Sequence, residues 1–133
     1  MPRKFATKED WLVACANTVE LLGSMSPSEF YNKETMEYHS TARSAVVRLA
    51  NGLADAGDFG AFLQREDQTT RRLPSTPEAL RGMALSDMHI RLICTFADER
   101  WMPGFLARAF NDGVLIPALE QLSANIDHFT LQE

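Results

Sequence analysis

The sequence predicts an all-α fold, a compact bundle of about five to seven helices around a central helix near residues 87–101. Three observations predict it. Apolar residues recur at helical spacing along most of the chain, and strand-like alternation is nearly absent. From Asp87 to Trp101 the polar positions Asp87, Arg91, Thr95 and Asp98 form one narrow stripe, and most of the remaining circumference is apolar, as in a helix packed among others. The chain has 133 residues, 45% hydrophobic and 23% charged, which suits a single domain (1–133) whose core needs no staples.

The elements follow in order. Thr7 and Asp10 form a helix-start box, after which Trp11, Cys15, Val19 and Leu22 repeat at helical spacing until Gly23. Ser26-Pro27-Ser28-Glu29 is the clearest start signal: Ser26 caps, Pro27 fits the first helical position, and Glu29 reaches back to the cap amide. Phe30 and Tyr31 occupy that first turn, and Asn32 breaks it. A longer helix is expected from Lys33 to Ala56, with Tyr38, Ala42, Ala45, Val46, Leu49, Leu53 and Ala56 on one face and Gly57 as its C-terminal cap. A short helix capped by Asp58 is expected over 58–66, around Phe59, Phe62 and Leu63. Residues 67–76 lack periodicity and read as a mobile loop. Pro77 and Glu78 open another short helix that ends near Gly82. Ser86 and Asp87 start the central helix, which Pro103 and Gly104 break. A short helix to Phe110, a turn at Asn111-Asp112-Gly113 and a last helix from Ile116 to Phe129 complete the chain. Leu115, Leu119, Leu122, Ile126 and Phe129 form the apolar stripe of that last helix.

Shape and charge disagree at this C-terminal end. Phe105 to Leu122 has helix-turn-helix spacing, with Ala109 small where the helices cross, Gly113 in the turn, and Val114 and Leu119 apolar. Yet the last 25 residues contain no lysine or arginine, and the helix that would read a major groove carries Glu120, Gln121 and Asp127. Phosphate contacts supply most nucleic-acid affinity. A DNA-binding version would need its charge from Arg71, Arg72, Arg100 and Arg108, all outside the reading helix. The net charge of −5 and an isoelectric point near 5.2 point the same way, away from polyanions and anionic membranes. An ordinary helical hairpin is the expected reading.

Catalytic chemistry finds little footing. His39, His89 and His128 fall on different helices, with no HxxxH, HExxH or Cys/His cluster, so no metal site is expected, and His89 reads as a core histidine. Cys15 and Cys94 sit in apolar patterns and read as buried thiols. Neither a GxSxG elbow nor a glycine-rich phosphate loop is present, and no cofactor is expected. Asp98 and Glu99 adjoin Arg100 and are expected to serve helix-terminal salt bridges. The pair Arg71-Arg72 reads as solvated loop charge, in a loop suited to order on a partner.

Arg100 and Trp101 end a helix, Gly104 follows, and Gly113 precedes the apolar helix Leu115 to Leu122. Over residues 88–122, about a quarter of the chain, this pattern resembles an uncharacterised bacterial domain family of unknown function. The resemblance brings no activity. It implies that Arg100 and Trp101, with Gly104 and Gly113, form a structural corner.

The functional expectation is a non-catalytic protein-interaction module that binds a protein with a basic surface through Asp112, Glu120 and Asp127, helped by Arg71 and Arg72. One concrete form is an inhibitor of a nucleic-acid-handling enzyme, of the anti-defence or immunity kind. The alternatives are a helix-turn-helix transcriptional regulator, and a small enzyme or ligand-binding bundle with a cavity beside the central helix, near Arg91, Asp98 and His89. Trp11, Phe30, Tyr31 and the last helix supply apolar surface for a possible homodimer. No signal peptide or transmembrane span is read at the N-terminus, so the cytoplasm is the expected location.

Overall fold

The computed structural model describes residues 4–54, 62, 64–66 and 71–132. Among these, seven α-helices pack around one core: α1 (Lys8–Gly23), α2 (Pro27–Phe30), α3 (Ser40–Asn51), α4 (Pro77–Arg81), α5 (Leu85–Ala97), α6 (Phe105–Asn111) and α7 (Leu115–Ala124). Two 3-10 turns, Asp98–Arg100 and Ile126–His128, extend α5 and follow α7. The fold is all-α, as the periodicity requires, and no described helix is long and apolar enough to cross a membrane.

Helix α1 packs on α3 and α7, and α5 packs on the same two helices from within the bundle. The side chains that fill this space are those of the helical stripes. Trp11, Leu22, Val46, Leu92, Leu115, Leu119 and Leu122 are all fully buried. The indole nitrogen of Trp11 donates to the Leu49 carbonyl at 2.9 Å, so the largest core side chain leaves no polar atom unsatisfied. His89 on α5 is buried, with Nε2 2.8 Å from the Ala50 carbonyl, and so is the core histidine that the pattern indicated. Cys15 and Cys94 are both free and buried.

The start signals hold in detail. The Thr7 hydroxyl accepts from the Asp10 amide, and Ser26 and Glu29 make the reciprocal pair of a capping box.

Three segments depart from the helical expectation. Residues 33–39 do not belong to α3. Tyr31–Asn32 (β1) pairs antiparallel with Glu37–Tyr38 (β2), Tyr31 opposite Tyr38. The Asn32 carboxamide accepts from the amides of Glu34 and Thr35, and Met36 takes φ +59°, so local hydrogen bonding turns the chain before a helix can begin. His39 Nδ1 then accepts from the Ala42 amide and caps α3. At its other end α3 stops at Asn51, and Leu53–Ala54 (β3) pairs with Thr130–Leu131 (β4). The last helix likewise ends at Ala124 rather than Phe129, because the chain must extend to reach β3. The cap at Gly57 and the start at Asp58 lie outside the described residues. So do 67–70 of the expected loop.

Trp11 and Phe30, invoked for a dimer, are fully buried inside the chain, and Tyr31 is half-buried within the ribbon. The apolar face of α7 is buried as well. The apolar surplus expected at these positions is therefore largely taken up by the chain's own core.

Candidate functional site

The polar side chains with the most developed structure converge where α5 ends. A 3-10 turn advances about 120° per residue, so neighbouring residues leave the axis in different directions. Asp98 and Glu99 consequently anchor two different parts of the molecule.

Asp98 turns toward the segment that follows the undescribed residues 67–70. Its Oδ1 accepts from Arg71 at 2.7 Å, and its Oδ2 accepts from Arg72 at 2.8 Å. Burial alone would raise the Asp98 pKa. Hydrogen bonds from the two arginines, and their charges, outweigh that and hold it below the ordinary carboxylate value. The Leu73 amide donates to the Thr95 hydroxyl, one turn back along α5. Arg71 and Arg72 are thus half-buried and ion-paired, rather than solvated loop charge, and 71–76 form a strap tied to α5 through Asp98 and Thr95.

Glu99 turns toward the β1–β2 ribbon. Its carboxylate accepts from the Tyr38 hydroxyl, from the amides of Gly104 at 3.0 Å and Leu106 at 3.3 Å, and from Arg43 at 3.4 Å. The Tyr38 oxygen in turn accepts from the Ala107 amide at 3.0 Å. One carboxylate and one phenol therefore satisfy three amides at the start of α6, those of Gly104, Leu106 and Ala107. Burial and the adjacent carboxylate both push the Tyr38 pKa far above the usual phenol range. Asp98 and Glu99 do serve salt bridges at the helix end, but with Arg71, Arg72 and Arg43, distant in sequence, rather than with the adjoining Arg100.

The residues after this doubly anchored turn are thrown outward. Trp101 is 76% exposed and Met102 is 59% exposed, and Pro103 is exposed beside them. The Arg100 guanidinium lies 5.2 Å from the Trp101 ring. Gly104, at φ +109°, then reverses the chain into α6, a conformation that a side chain would strain. Trp101 therefore stands largely exposed at the corner, whereas Gly104 and Gly113 (φ +75°) are the residues that shape the backbone there.

Two grooves flank α6. One, of about 450 Å³, is lined by Arg72, Arg91, Thr95, Phe105, Arg108 and Asp112 with neighbouring strap residues, and it lies beside the central helix. The other, of about 760 Å³, runs between α6 and the ribbon, past Tyr31 and Gly104. Among the described residues no cluster of histidine, cysteine and carboxylate side chains could hold a metal ion. Burial pushes the Cys15 thiol up to about 11 and also raises that of Cys94, so neither is an activated nucleophile.

The acidic residues of the C-terminal end are scattered rather than gathered. Asp112 lies 3.8 Å from Arg108, and Asp127 lies 3.8 Å from Lys8 of α1. Only Glu120 of the three is exposed with no cation paired to it among the described residues. The tail looks uncompensated in sequence, but other elements bring it cations in space. The solvent face of α7 presents Glu120, Gln121 and Ala124, with no positive charge to meet a phosphate.

Sequence reasoning missed Tyr38, Arg43 and Glu99. Tyr38 sits in phase with the α3 stripe and so reads as core. Glu99 caps amides five and seven residues downstream, outside the usual capping interval. Comparison with known protein families, with characterised proteins and with solved structures finds no match.

Proposed function

We propose that this chain is a non-catalytic protein-binding module whose anchor is the corner Trp101-Met102-Pro103. The observation that carries this reading is the exposure of a tryptophan and a methionine side by side on a rigid turn. Tryptophan, methionine and arginine are enriched at the centres of protein interfaces, and a large aromatic side chain left in water contributes most when a partner covers it. Asp98 and Glu99 fix the backbone beneath, so little ordering is lost on binding. Arg71, Arg72 and Arg100 surround the anchor against the single carboxylate of Asp98, which favours an apolar partner surface with an acidic rim.

That rim departs from the basic partner expected for Asp112, Glu120 and Asp127, two of which have cations nearby. A narrower reading retains the basic partner: an inhibitor that occupies the polyanion groove of a nucleic-acid-handling enzyme. It rests on the net charge of −5 and on Glu120. The same experiment separates the two. Proteins from a host lysate are captured on the immobilised chain and on its Trp101→Ala/Met102→Ser variant, at low and moderate salt. A partner held by the native chain and lost with the variant supports the corner as anchor. Capture unaffected by the variant but abolished by salt supports the acidic inhibitor. Retention of duplex DNA at low salt overturns both.

A further inference from the structure

The groove beside the central helix has an arrangement that protein binding at Trp101 does not require. Arg72 is held on three sides. Its Nε donates to Asp98, its guanidinium lies 3.7 Å from the centroid of the Phe105 ring, and its own carbonyl accepts from Arg91 Nη1 at 3.2 Å. Its two terminal nitrogens have no partner among the described residues. Arg91 enters from α5 with only 16% of its side chain exposed, and its Nε is buried without a hydrogen-bond partner. Burying such a donor unpaired is costly.

Among the described residues, cations outnumber carboxylates around this groove. Asp98 serves both Arg71 and Arg72, Glu66 lies 3.6 Å from both Arg65 and Arg91, and Asp87 lies 3.2 Å from Arg65. Arg108, on α6, is 76% exposed across the groove, with Asp112 3.8 Å from its Nε. The partly desolvated guanidinium groups of Arg72 and Arg91 and the exposed one of Arg108 match the several acceptor oxygens of a phosphate better than the two of a carboxylate. A volume of about 450 Å³ exceeds what an inorganic ion fills, and Leu73, Pro74, Ala79 and Ala109 supply apolar wall. We propose that this groove binds a small organic phosphate, its phosphate among Arg72, Arg91 and Arg108 and its body along the strap.

Titration calorimetry on the isolated chain tests the proposal without any partner, so its outcome is independent of the protein-binding reading. The probes are inorganic phosphate, adenosine monophosphate and glucose 6-phosphate, with adenosine and glucose as unphosphorylated controls. The expected result is saturable binding of at least one organic phosphate, about tenfold or more tighter than inorganic phosphate, and none of the controls. Arg72→Gln should weaken binding about tenfold or more, as loss of a charged fork does. Arg108→Gln, at an exposed position that leaves the core untouched, should weaken it severalfold. Asp112→Asn, which removes the one carboxylate that lines the groove among the described residues, should tighten it. Absence of binding by all three phosphates overturns the proposal. So does equal binding by the controls, or an affinity that neither Arg108→Gln nor Asp112→Asn changes.

Discussion

Asp98 holds two guanidinium groups with one carboxylate, and removing its charge leaves both arginines half-buried and uncompensated. Breaking such an arrangement from one side costs more than the arrangement contributes, because the orphaned charges remain. Asp98→Asn should therefore lower stability by about 2–4 kcal/mol, somewhat less than for a fully buried pair because the arginines retain partial contact with water. The sign with pH follows from the lowered pKa. A carboxyl group with a depressed folded-state pKa contributes stability that is present above its unfolded value, near 3.9, and lost as pH falls through the folded value. Urea denaturation of both proteins from pH 7 to pH 2 checks this. The gap between native and variant should stay constant down to about pH 5 and close in the acid range. A gap that persists at pH 2 would mean that the loss comes from packing rather than charge. This residue also marks the limit of what the sequence reveals about the site. The polar stripe Asp87, Arg91, Thr95, Asp98 is visible at helical spacing, so the central helix and its hydrophilic edge can be read directly. Its partners cannot, because Arg71 and Arg72 lie in a segment without periodicity, and two adjacent arginines look the same whether solvated or clamped.

The sequence places helix starts well where a local side-chain cap begins the helix, and poorly where the chain enters or leaves a helix through a strand, as at both ends of α3. Thr7, Ser26 and Thr76 each cap the helix that follows, since capping is a local bargain between a side chain and amides two or three residues on. The β1–β2 ribbon escapes notice because it is two residues on each side, too short to show alternation. Its tip depends on Asn32 and on Met36, a non-glycine residue at φ +59°. An L side chain in that region costs up to about 1–2 kcal/mol, and Met36 is 62% exposed and contributes little packing in return. Met36→Gly should therefore stabilise the protein by about 0.5–1 kcal/mol, the increased freedom of the unfolded chain offsetting part of the relief. Chemical denaturation should show a higher midpoint with an unchanged slope. A lower midpoint would mean that the ribbon tip is not held in the left-handed conformation in solution. The ribbon matters beyond its size, because Tyr38 at its base carries the hydroxyl that joins Glu99 to the start of α6.

At the scale of the whole molecule, both described ends of the chain meet the centre at one place. Phe5 is buried against Gly52, where an added Cβ would stand 2.6 Å from the ring, and the Gln132 amide donates to the Gly52 carbonyl at 2.8 Å. Phe129, fully buried, packs edge-on to His89 of the central helix with ring centres 5.3 Å apart. The closing β3–β4 ribbon holds the C-terminal segment onto the end of α3. Such long-range closure leaves no periodic trace, which is why the last helix reads too long in the sequence while its stripe residues are assigned correctly to the core. If these contacts belong to the same cooperative unit as Trp11 and the bundle, damage at Phe129 must destabilise everything together. Phe129→Ala removes a buried ring and leaves a cavity, at a cost of about 3–5 kcal/mol, a large share of the 5–15 kcal/mol typical of a domain. Urea denaturation followed by far-UV circular dichroism reports the helices, and the near-UV signal of the immobilised Trp11 reports the core. Both should move to the same lower midpoint in the variant and remain coincident. A midpoint that does not move, or two transitions that separate, would place the C-terminal ribbon outside the cooperative core. The corner at Trp101 and the arginine groove would then stand on a bundle that holds together without it.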